Sequence, residues 1–166
     1  MVAQWTVWAV AFSVVFADGG LPQASSAVAG FQRLKALAGE WETTGPDGVP
    51  VRVVYEVVSD GTAVLERVLG AEHGESGMMS MFYLSGDRLA MSHFCTAGNQ
   101  PRFESSGLVG MGLTFTLVPS SVADLTAGHI HQVAFRFGDP VESVWDWVER
   151  GRVDHQLTRQ QRRVIR

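Results

Sequence analysis

Between residues 51 and 68 the chain alternates. Val51, Val53, Tyr55 and Val57 are interleaved with Arg52 and Glu56, and Val64, Glu66 and Val68 with Ala63, Leu65 and Arg67. A period of two is the mark of strands whose two faces meet different surroundings. Comparable segments are Met78–Leu84, Arg88–Cys95, Arg102–Leu108, Leu113–Val118, His129–Phe137, Val141–Val148 and Arg152–Thr158. With Trp41–Thr43 they make about ten short strands. Turn-forming residues separate most of them: Pro46-Asp47-Gly48, Ser59-Asp60-Gly61, Ser85-Gly86-Asp87, Gly138-Asp139-Pro140 and Glu149-Arg150-Gly151. The links are too short for helical crossovers, so neighbours pair antiparallel. Such a sheet keeps two open edges unless it closes on itself. The expected fold is therefore all-β: a single antiparallel up-and-down barrel of about 8–10 strands, with a two-sheet sandwich as the alternative. One short helix precedes it. Phe31, Leu34, Leu37 and Ala38 recur at helical spacing up to Gly39, a helix stop. The longest break, Pro119–Gly128, is read as a lid or a short helix.

The start of the chain breaks this pattern. Trp5–Ala17 is an uncharged apolar run, too short to span a bilayer comfortably. Val15-Phe16-Ala17 and Ala27-Val28-Ala29 both place small residues as a signal-peptidase site does, although no Lys or Arg precedes the run. Residues 1–29 are read as a signal peptide or leader and 30–166 as the barrel domain. The protein is expected to be exported, periplasmic or secreted, with a cytoplasmic location as the alternative. Contact with a membrane is expected only through the leader.

Composition narrows the function classes. Hydrophobic residues are 46% of the 166-residue chain and charged ones 18%, which excludes disorder. The net charge of −4 gives no basic face for nucleic acid. The basic tail Arg159–Arg166 is read as the solvated end of the last strand. Cys95 is the only cysteine, so neither an intrachain disulfide nor a Cys-rich zinc site is open to the chain.

Leu37-Ala38-Gly39-Glu40-Trp41, between the helix and the first strand, resembles the Gly-x-Trp signature of lipocalins and related calycins. In such barrels the tryptophan closes one end and an arginine of the last strand often stacks on it. Gly39 and Trp41 are thus the expected structural signature. A second segment is similar to a bacterial family of small, often signal-bearing, lipocalin-like proteins. It carries His93-Phe94-Cys95 and then Gly98-Asn99-Gln100-Pro101-Arg102; His129-Ile130-His131 and Trp145-Asp146-Trp147 also match. The likeness covers roughly 31–158, and the leader and the tail after Leu157 depart from it. It implies the barrel and no particular function.

Strand parity selects the candidate site. Leu89, Met91, His93 and Cys95 share one face, as do His129, His131, Val133, Phe135 and Phe137. The apolar members suggest an inward face, which would bring three histidines and the thiol into one lumen unless a bulge intervenes. Gly98-Asn99 suits a turn, and Arg102 at a barrel mouth needs an acceptor, either a protein carboxylate or the acid group of a ligand. Trp145 and Trp147 are read as packing or rim residues. His93, Cys95, Asn99, Gln100, Arg102, His129 and His131 are the expected ligand-binding set. His93, His129 and His131 are the alternative metal set, since His-x-His sets two imidazoles about 6–7 Å apart at the backbone. No nucleophile elbow, phosphate loop or paired catalytic carboxylates stand out, so no catalytic residue is assigned. The expected function is binding of a small apolar or amphipathic molecule in the barrel, without a cofactor. The alternatives are a haem- or zinc-dependent, histidine-based enzyme or redox protein, the haem version resembling the nitrobindins, and a structural envelope protein with a filled barrel.

Overall fold

The computed structural model describes residues 25–45, 48–70 and 74–165; the Trp5–Ala17 run lies outside them. The alternating segments become β1 (Gly39–Thr44), β2 (Pro50–Val58), β3 (Ala63–Gly70), β4 (Gly74–Ser85), β5 (Arg88–Phe94), β6 (Arg102–Ser105), β7 (Leu108–Val109), β8 (Gly112–Leu117), β9 (His129–Arg136), β10 (Val141–Glu149) and β11 (Arg152–Arg163). Sequence neighbours pair antiparallel, except that β6 pairs β8 instead of the two-residue β7, which pairs only β8. β1 pairs β11, and this seam closes a ten-strand barrel. The expected closure is found, and the sandwich is excluded. Alternation then sorts the side chains: Leu113, Phe115 and Leu117 of β8 are buried while Thr114 and Thr116 are exposed. Phe82, Phe115 and Phe135 pack edge to face and tilted at 5.5–6.4 Å between centroids, filling the barrel's middle.

The helix α1 (Ser26–Lys35) plugs one end with Ala27, Phe31 and Leu34, all buried. It starts five residues before the expected Phe31, because the Ser25 side chain caps it by accepting from the Val28 N–H at 3.3 Å. The apolar spacing first becomes visible at Phe31, whereas the opening turn is written in small residues. Ser26 Oγ also donates to the Ser106 carbonyl at 2.7 Å. Gly107, with φ +118°, permits this docking: a Cβ there would come within 2.1 Å of the Ser26 carbonyl carbon.

The same end is locked at the β1–β11 seam. Trp41 is 7% exposed, and its Nε1 donates to the Leu37 carbonyl at 2.7 Å. Arg163, its partner in register, lays its guanidinium 4.5 Å from the indole centroid. Arg163 also donates to the Ala38 and Ala36 carbonyls at 2.8 and 2.9 Å, reaching the unpaired acceptors that follow a helix C-terminus. Gly39 has φ +130°, a conformation that residues with a Cβ rarely adopt, so glycine is required where the chain passes the Arg163 guanidinium.

The short helix expected in Pro119–Gly128 is found, and the reading of the basic tail is corrected. The Pro119–Gly128 segment holds a single 3-10 turn, Pro119–Ser121, fastened to β6 where Arg102 N–H donates to Ser121 Oγ at 2.9 Å. The basic tail is not a solvated end throughout: β11 runs on to Arg163, and Arg159 and Gln161 point inward, 4% and 0% exposed.

Candidate functional site

At the mouth opposite α1 the core stops short. There a cavity of about 410 Å³ is lined by Met78, His93, Cys95, Thr96, Ala97, Ile130, Trp145, Trp147, His155, Gln156, Leu157 and Arg159. The volume falls in the range of small-molecule sites, roughly 300–1,000 Å³. The walls are mostly apolar and aromatic. Trp147 stacks with His155 at the rim, centroids 6.0 Å apart. Gly128 leaves room for this, since a Cβ there would meet the Trp147 ring at 2.4 Å. Deeper in, the His93 ring lies 5.2 Å from Trp145, and the Arg159 guanidinium stands 5.0 Å over Trp145 from the other strand.

Beneath the cavity runs a buried polar chain. Tyr55 OH lies 2.8 Å from Glu66 Oε1 and 3.1 Å from Gln161 Oε1. Gln161 Nε2 donates to Ser143 Oγ at 3.2 Å, and Trp145 Nε1 donates to the same oxygen at 3.1 Å. Ser80 Oγ pairs with His93 Nδ1 at 3.0 Å. Glu66 is wholly buried, and burial pushes its carboxyl pKa above the usual range, opposed by the Arg159 charge, the Tyr55 hydroxyl and Ser80. Burial, with the neighbouring Glu66 second, pushes the Tyr55 phenol well above its ordinary value.

Of the expected site residues, His93 and Cys95 line the cavity. Asn99, Gln100, Arg102, His129 and His131 are not among its lining residues. The Cys95–Asn99 segment is a turn: Gly98 N–H donates to the Cys95 carbonyl at 3.0 Å and Cys95 N–H to the Asn99 carbonyl at 3.1 Å. Asn99 Nδ2 holds that turn to the Gly128 carbonyl at 2.9 Å. Gln100 and Arg102 are exposed. The expectation that His129 and His131 face one lumen with His93 fails at a bulge. β9 and β10 slip by one residue between Asp146 and Trp147, so Ile130 is paired and His131 is skipped. Ile130 therefore faces the cavity and His131 is exposed, while the buried His129 turns its Nδ1 to the Ala127 carbonyl at 2.8 Å. Among the described residues no group of three His, Cys, Asp or Glu side chains is placed to hold a metal ion.

Sequence reasoning missed Glu66, Tyr55, Arg159 and Gln161. A signal for Glu66 was present, a carboxylate on the same strand face as Val64 and Val68. Arg159 was hidden in a run of charges. No protein-family model matches the chain, and a search of the curated proteins finds no match.

Proposed function

We propose that the barrel is a lipocalin-like binding protein that takes a small, largely apolar molecule into the cavity of Trp145, Trp147, Ile130 and Leu157. The observation that carries this reading is the cavity itself: a barrel packed solid at the α1 end stays open at the other, with aromatic walls over two buried polar side chains, His93 and Arg159. A barrel built only as a structural element gains nothing from leaving that space, because unfilled volume costs stability. The molecule slides its apolar body between the tryptophans and sets one polar group against His93.

Titration with 1-naphthol and dodecanol, followed by the fluorescence of Trp145 and Trp147, tests the reading, together with native mass spectrometry for co-purified molecules. Saturable quenching is expected. His93→Phe is expected to keep the fold, because aromatic shape is retained. It should weaken binding by about 1–3 kcal/mol, the loss when a bound polar group loses its partner. No quenching by either probe and no co-purified molecule would leave a filled structural barrel as the better account.

Export belongs to the same proposal, and α1 selects between the two processing points. Cleavage after Ala29 would remove the Ser25 cap and the buried Ala27; cleavage after Ala17 leaves both. N-terminal sequencing of protein from an envelope fraction is expected to read from Asp18. A start at Gly30, or an intact Met1 on cytoplasmic protein, would refute it.

A further inference from the structure

A cation and a carboxyl group are buried under the cavity, and only the cation reaches it. Arg159 (4% exposed) lines the cavity, whereas Glu66 (0%) lies behind it in the chain that leads to Tyr55, Gln161 and Ser143. Arg159 and Gln161 share the inward face of β11, and Tyr55 joins Gln161 to Glu66, so cation and carboxyl belong to one buried cluster. An anion arriving at Arg159 would place a second negative charge beside the same cation, in surroundings where water screens little. Two anions sharing one buried cation are relieved when one of them takes a proton.

The hydrogen bonds around Glu66 are built to accept that proton. Tyr55 has one hydroxyl hydrogen but lies within hydrogen-bond distance of two acceptor oxygens, Glu66 Oε1 at 2.8 Å and Gln161 Oε1 at 3.1 Å. If Glu66 is ionised, the Tyr55 hydrogen serves Glu66 and the Gln161 oxygen loses that donor. If Glu66 is protonated, its hydroxyl donates to Tyr55, Tyr55 donates to Gln161, and Gln161 Nε2 donates to Ser143 at 3.2 Å. Turning the Gln161 amide over reverses the direction: Ser143 then donates to Gln161, Gln161 to Tyr55, and Tyr55 to an ionised Glu66. The Tyr55–Gln161–Ser143 chain thus has a donor–acceptor order for each protonation state of Glu66.

We infer that the ligand of this cavity carries a carboxylate or similar monoanionic head, that the head docks on Arg159, and that Glu66 takes up one proton from solvent as it docks. The inference rests on the cavity being a binding site and adds the ligand's charge and a linked proton. The groups facing Glu66 are Tyr55 from β2, Arg159 and Gln161 from β11 and Ser80 from β4, with His93 of β5 beyond Ser80. Of these, His93 is the group whose ordinary titration falls near neutrality, so the test must separate it from Glu66.

Full-length protein is titrated with 1-naphthoate and dodecanoate, and with the uncharged 1-naphthamide and dodecanamide, between about pH 6 and pH 9, where the probe acids stay ionised. Carboxylate affinity is expected to fall with pH, by up to about tenfold per unit while one proton is linked. Amide affinity is expected to stay flat. Calorimetry in buffers of different ionisation enthalpy should count close to one proton taken up per carboxylate bound on the alkaline side of that range. Glu66→Gln should abolish both the slope and the uptake; His93→Phe, although it weakens binding, should leave the slope and the proton count in place. If Glu66→Gln does not fold, infrared difference spectra of the native protein give the same answer, because a protonated carboxyl stretch should grow when naphthoate binds. Amides that bind while carboxylates bind without a slope, or a slope that survives in Glu66→Gln, would overturn the inference and leave the cavity reading standing. Failure of all four probes to bind would remove both.

Discussion

Replacing Trp41 by alanine is expected to destabilise the barrel by about 3–5 kcal/mol, the range for deleting a large buried aromatic. The indole does three things at the seam. It fills the α1 end, its Nε1 occupies the Leu37 carbonyl, and its face carries the Arg163 guanidinium. Alanine leaves a void, an unpaired acceptor at the end of the helix and an arginine without its platform. Urea melts monitored by circular dichroism measure the loss. A value below about 1 kcal/mol would mean that the end is sealed without Trp41.

Arg159→Met is expected to destabilise the barrel at neutral and alkaline pH by about 1–3 kcal/mol, since it removes the buried cation that opposes the rise in the Glu66 pKa. The cost should shrink on acidification, and the sign follows from Glu66. The folded pKa of Glu66 lies above its unfolded value. Below the unfolded value Glu66 is neutral in both states, and folding carries no charge penalty. As pH rises towards and through the folded value, stability is lost. Without Arg159 the folded value rises further, so the loss extends over a wider span of pH. Melts at pH 5 and pH 8 decide the matter. An equal loss at both would show that Arg159 acts only by packing on Trp145.

The barrel was legible because its physics is local. Alternation in Leu113–Leu117 sorts inside from outside without help, and turn residues give the strand count. Gly39 and Trp41 were legible for the same reason, each being written within six residues of the helix end. What failed was parity carried too far. Ile130 and His131 exchange places because β9 slips against β10, and nothing in the sequence of β9 alone says so. Arg159 and Gln161 sit among Arg162 and Arg163, and a run of charges reads as solvated unless the partners across the barrel are known. Those partners, Glu66 and Tyr55, lie about a hundred residues earlier in the chain. The helix start was obscured for a different reason, because Ser25 to Ala29 are the small residues of a cleavage site and of a capped first turn alike.

The β1–β11 seam also sets an order of events in time. Trp41 meets Arg163 across most of the length of the chain, whereas every other neighbouring pair is joined by a local connection. Contacts this distant in sequence form late and slow the approach to the native state. A growing chain can zip hairpin upon hairpin from β1 onward, but the outer edge of β1 stays unpaired until the last strand has been synthesised. The arginine that completes the sheet also grips the helix and the tryptophan, so closing the ring and fastening its lid become one step, taken only after translation has reached the end of β11.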